Sequence, residues 1–164
     1  MERPMRLLVC LAVCAFACNA ARADEAAQCR DNDGTYLSGR VIGAPVFRRG
    51  HLRDGVELSH THLTIRSDGD GQTYDVAVDN VFAAGYDAAG ESVPAPLSQI
   101  RVGDRLGLCG QPYANDTRGI DWVHTNCGEA PAPRKPNGWL KILGANGAPG
   151  PNLESSQEYC RLWP

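Results

Sequence analysis

Two short alternating segments around a glycine turn constrain this chain more than any other feature. In His60-Thr61-His62-Leu63-Thr64-Ile65-Arg66, the set Thr61, Leu63 and Ile65 takes one face and His60, His62, Thr64 and Arg66 the other. Thr73-Tyr74-Asp75-Val76-Ala77-Val78-Asp79 alternates in the same way, and a period of two is the signature of a half-buried strand. Asp68-Gly69-Asp70-Gly71 lies between them, so the pair reads as a β-hairpin. Upstream, Tyr36 to Phe47 reads as a long first strand whose Gly39 and Gly43 predict a bend or bulge. Arg48 to Glu57 reads as a polar loop. Downstream, Arg105–Gln111 and Ile120–Asn126 flank an Asn115–Gly119 turn and give the fourth and fifth strands, with a helical turn at Leu97–Arg101 before them. Five short strands with at most one helical turn predict an all-β fold, a small five-stranded OB-like barrel with an irregular C-terminal extension. A β-sandwich usually takes about seven strands.

The beginning of the chain predicts export. Arg3 and Arg6 precede an apolar run from Leu7 to Ala17, followed by the small-residue site Ala21-Arg22-Ala23. That order is a cleavable secretory signal over residues 1–23, and its apolar run is too short for a bilayer span of roughly 20 residues. A competing reading places a lipid-bearing cysteine at Cys18. The remaining organisation is an N-terminal segment at 24–35, the barrel at 36–128 and a Pro/Gly-rich extension at 129–164 packed on it. Cleavage removes Arg3, Arg6, Arg22 and Glu2, which moves the formal charge from −3 to −5 and away from the basic balance of a general nucleic-acid binder. It leaves Cys29, Cys109, Cys127 and Cys160, an even set that predicts two disulfides in a periplasmic or secreted protein. Pairing the fourth and fifth strands across their turn puts Cys109 opposite Cys127, and Cys29 is left to join Cys160. No C-x-x-C pair supports a metal site instead. No transmembrane segment is expected in the mature chain, and a monomer without cofactor is expected.

Gly103-Asp104, Cys109-Gly110-Gln111-Pro112-Tyr113, Gly119-Ile120-Asp121-Trp122-Val123-His124 and Gly138-Trp139-Leu140-Lys141 follow one another in an order that resembles a family of small exported bacterial proteins, catalogued as domain of unknown function 3465. The resemblance runs from about Gly39 to Gly144. Its most specific parts are the Trp122–His124 step and the Gly138–Lys141 run. The family pattern implies a further histidine where this chain has Thr125-Asn126, and the four cysteines are particular to this chain. The resemblance implies fold and compartment; it brings no established activity.

Candidate chemistry gathers on the outer face of the hairpin. His60 and His62 project together, and with His124, or a carboxylate such as Asp79, could hold a metal such as zinc. That pattern gives the alternative function, a metal-assisted hydrolase acting on phosphodiesters. The plainer reading is a solvated strand face, with His124 a structural histidine at the end of a core formed with Ile120 and Trp122. No nucleophile motif accompanies these residues. Arg48, Arg49, His51 and Arg53 form the one basic cluster, which Arg66 and the histidine face extend toward an anionic ligand. Tyr74 is the single aromatic residue in the second and third strands, which argues against single-stranded nucleic acid. Trp122 and Trp139 read as core. The expected function is therefore a non-enzymatic binding or structural role, with candidate ligand contacts at His60, His62, Arg66, Arg48, Arg49, Arg53 and His124.

Overall fold

The computed structural model describes residues 24–114 and 118–163. The expected signal, and Cys18 within it, lie outside the described residues. Among them the strands are β1 (Thr35–Val41), β2 (Val46–Arg48), β3 (Leu52–Arg53), β4 (Val56–Glu57), β5 (His60–Ser67), β6 (Thr73–Asp79), β7 (Arg105–Pro112), β8 (Gly119–Asp121), β9 (Trp139–Leu143) and β10 (Pro149–Asn152). A helix, α1, covers residues 24–31, and a single helical turn, α2, covers Ala95–Ser98.

Five strands close a mixed barrel in the order β1-β5-β6-β8-β7 and back to β1. β8 runs parallel to β6 and antiparallel to β7, and the other barrel pairings are antiparallel. Alternation fills the interior as the sequence dictates: Leu63 and Ile65 of β5, Val76 and Val78 of β6 and Leu106 and Leu108 of β7 are buried together, closed over by Leu97 and Ile100. Burying each such side chain contributes about 1.5–3 kcal/mol. Gly39 is where β1 turns from one barrel neighbour to the other, pairing with both Ser67 and Leu106. A Cβ there would sit 2.4 Å from the Arg66 carbonyl oxygen, so the bend needs glycine. The expected long first strand is accordingly broken, β1 ending at Val41 and β2 resuming at Val46 to pair with β5. The expected polar loop holds the small β3–β4 hairpin, whose turn residues Asp54 and Gly55 have positive φ.

The fifth strand differs most from expectation. β8 ends at Asp121 because Trp122 takes a left-handed conformation, φ 54°, which turns the chain out of the ladder. The edge of β7 that β8 vacates is taken by β9, with Trp139 opposite Cys109. The tail expected to be irregular therefore contributes β9 and β10 to the same sheet.

This exchange also corrects the disulfide pairing. Cys127 does not come opposite Cys109; the bonds are Cys29–Cys109 and Cys127–Cys160. Residues 24–31 of the N-terminal segment form a helix pinned to β7 by the first bond, with Cys29 buried beside Cys109 and Trp139. Two disulfides point to an oxidising extracellular or periplasmic compartment. No helix among the described residues is long and apolar enough to cross a membrane.

Candidate functional site

The outer faces of β5 and β6 lie side by side, and their register sets the polar pairs. His60 is directly opposite Asp79, and its Nε2 lies 2.8 Å from Asp79 Oδ1. His62 reaches diagonally to Asp75, with Nδ1 2.9 Å from both carboxylate oxygens. The Tyr113 hydroxyl donates to Asp75 Oδ2 at 2.6 Å. Its ring lies across Gly119, where a Cβ would come within 2.0 Å of it, so a bare backbone position on β8 brings Tyr113 onto this face. Beside the small Ala77, the parallel β8 adds Asp121. His60, His62, Ala77, Tyr113 and Asp121 thus line a shallow polar cleft.

At the β8 end the cleft continues into a deeper cavity of about 300 Å³. Asp79, Asp121, His60, Trp122, His124, Phe82 and Trp163 line it, together with His51 and Arg53 of the β3–β4 region. The left-handed Trp122 produces this arrangement by breaking strand alternation. Ile120 and Val123 enter the core, while Trp122 and His124 face the cavity. Trp122 is half-buried and lies outside the hydrophobic core clusters of buried side chains, which corrects its expected core role; Trp139 is buried beside the Cys29–Cys109 bond. His124 stacks flat on Phe82, with ring centres 3.7 Å apart and 4° between planes. Its Nδ1 lies 3.1 Å from the Thr125 carbonyl oxygen, which can only accept, so Nδ1 carries the proton.

The two histidines nearest Asp79 are driven in opposite directions. The hydrogen bond to Asp79 raises the His60 pKa above the ordinary imidazole value, against the opposing effect of burial. Burial lowers that of His124, only partly offset by the charge of Asp79, 3.6 Å away. Asp121 is raised by burial and then by the charge of Asp79. Beneath the site a buried network holds the barrel end. Thr61 Oγ1 donates to Asn80 Oδ1 at 2.6 Å, Asn80 Nδ2 donates to Ser59 Oγ at 2.9 Å, and Ser59 meets the Tyr86 hydroxyl, itself bonded to the Glu57 carbonyl.

The structure gathers His60, His124 and Arg53 around the cavity and puts His62 in the adjoining cleft. It does not gather the rest. Arg49 is held by Glu57 and Glu91, Arg48 lies on β2 and Arg66 at the far end of β5. Arg53 lies over the Trp163 ring, 5.6 Å from its centre. The ligand set of the metal-assisted alternative is not assembled, since His62 turns to Asp75 and the described residues hold no group of three or more His, Cys, Asp or Glu side chains placed for a metal ion. Sequence reasoning missed Asp75 and Asp121 as site residues, although alternation puts Asp75 on the histidine face. It also missed Trp163, which no pattern in the tail announces. A separate hollow lined by Ala44, Pro45, Val93 and Ile100 is apolar and carries no comparable polar chemistry.

The Trp122–His124 step and the Gly138–Lys141 run meet in space. The Gly138 amide donates to the His124 carbonyl at 2.8 Å, and a Cβ on Gly138 would lie 2.6 Å from the Trp122 carbonyl oxygen. No protein-family model, curated protein or solved structure matches the chain.

Proposed function

We propose that this protein is an exported, disulfide-stapled OB-like binding protein whose ligand occupies the outer face of β5 and β6 and the cavity at its β8 end. The Greek-key path of the barrel supports the OB reading, because in that architecture the second and third strands present the binding face. β5 and β6 are those strands here. The observation that carries the proposal is the cavity itself: ionisable groups with displaced pKa values converge there with two tryptophans on a rigid closed barrel. Export rests on the leader pattern and on the two disulfides. The resemblance to the exported family rests on the Trp122–His124 and Gly138–Lys141 segments.

The test is a thermal-shift and tryptophan-fluorescence screen of small periplasmic-type solutes against the purified protein, repeated with His60→Ala and Trp163→Ala. A ligand of this site shifts the wild-type signal and loses that effect in both variants. Unchanged ligand responses in both would remove the site.

A further inference from the structure

The cavity lining includes several hydrogen-bond acceptors, and the inference drawn from them rests on reading the cavity as the ligand site. Since Nδ1 of His124 carries the ring proton, Nε2 presents a lone pair. The residue is only 3% exposed and lines the cavity. Asp79 Oδ2 lies 3.6 Å from Nε2, beyond hydrogen-bond distance and itself an acceptor. Asp121 adds a second carboxylate to the same lining. Several nearby donors are engaged: His60 with Asp79 Oδ1, Trp122 Nε1 with Asn126 Oδ1, and the Tyr113 hydroxyl with Asp75, while Arg53 rests over the Trp163 ring. Asp79 is paired with His60, whereas the Asp121 carboxylate has no ion pair among the described residues, and an N–H-bearing cation supplies one.

The walls specify the shape of that cation. Trp122 and Trp163 give the cavity flat apolar sides, and the chain's own Arg53 guanidinium already rests over one face of Trp163. Aromatic faces attract planar cations in this way. A volume of about 300 Å³ lies at the lower end of the range for small-molecule sites.

We propose that the cavity binds a small planar organic cation, an amidinium or guanidinium, whose N–H groups bridge His124 Nε2, Asp79 Oδ2 and Asp121 in the lining that Trp122 and Trp163 share. The raised pKa of Asp121 accords with this, because a carboxyl group held by burial and by a like charge is relieved by an incoming cation.

Benzamidine, benzamide and benzoate share one ring and nearly one size while carrying positive, zero and negative charge. Each is titrated into the full protein by calorimetry and tryptophan fluorescence, with wild type and Asp121→Asn compared. The proposal expects benzamidine to bind at least about tenfold more tightly than either analogue, and Asp121→Asn to lose about tenfold of that affinity. Asp121 is half-buried at the cleft edge, so this variant is expected to fold, and its circular dichroism spectrum checks that it does. Equal or tighter binding of benzamide or benzoate, abolished by Trp163→Ala, would overturn the cation and leave the cavity standing as a ligand site. Benzamidine binding unchanged in Asp121→Asn would also overturn the cation. No binding by any of the three would overturn both the cation and the site.

Discussion

At the scale of single residues, environment rather than identity decides what each ionisable group does. His60 and His124 lie against the same carboxylate, yet one is held toward its charged form and the other toward its neutral form. An imidazole NMR titration is expected to show His60 protonating before His124 as pH falls, His60 above about pH 6.5 and His124 below it. The same experiment should report the Nδ1-protonated tautomer for His124. The signs for stability are opposite. The His60–Asp79 pair contributes stability that is fully present below the unfolded imidazole value and is lost as pH rises through the folded one. Buried His124 contributes stability present above the unfolded value and lost as pH falls through it. Glu154 is the sharper case. It is fully buried, neither carboxyl oxygen has a hydrogen bond among the described residues, and burial, followed by the charge of Asp79, raises its pKa well above the ordinary value. Its contribution is intact below about pH 4.5 and is lost as pH rises through the folded value. Glu154→Gln is therefore expected to gain on wild type as pH rises from 4 to 8, by about 1.4 kcal/mol for each unit of displacement, measured by urea unfolding at both pH values. Parallel pH profiles for the two proteins would contradict this account.

At the scale of elements, the joint between β8 and β9 is the sensitive one. Gly138 fits where a Cβ would meet the carbonyl oxygens of both Cys109 and Trp122 at 2.5–2.6 Å. Those neighbours are backbone and cannot rotate away. Gly138→Ala is expected to cost about 1–3 kcal/mol in urea unfolding and to change the Trp122 fluorescence. Gly119→Ala, which collides with the Tyr113 ring, is expected to release that ring from Asp75 and to raise its solvent accessibility to iodination. These positions show where the sequence was readable and where it was not. β5 and β6 were legible because one face of each is core and the other solvent, so composition alternates residue by residue. β8 was not, because a single left-handed residue at Trp122 ends it, and nothing in Ile120–Asn126 marks that conformation. β9 was not legible either, because its strand partner lies about thirty residues upstream, beyond the reach of local periodicity. The disulfide assignment inherited that error. For the site, the histidine face could be read from alternation, whereas the aromatic wall depends on a tail held in place by Cys127–Cys160.

At the scale of the whole molecule, the two disulfides divide the labour. Cys29–Cys109 spans 80 residues and ties α1 to the barrel; Cys127–Cys160 spans 33 and holds the turn that carries Trp163. Loop-closure entropy assigns about 4.5 kcal/mol to the longer loop and about 3.8 kcal/mol to the shorter, as upper values for relaxed bonds. Replacing Cys127 and Cys160 together by serine is expected to lower the melting temperature, keep the β-sheet circular dichroism spectrum and release Trp163 to solvent, read by acrylamide quenching. Replacing Cys29 and Cys109 together is expected to lower the melting temperature further.

β7 has a neighbour on both edges, with β1 along one side and first β9, then β8, along the other, and it carries a sulfur crosslink at Cys109. No outward fraying of a single strand can free its central amides. In deuterium oxide, Leu106 and Leu108 will therefore exchange only when the entire sheet opens, and their protection will report the global unfolding equilibrium while β2 and β10 have already exchanged.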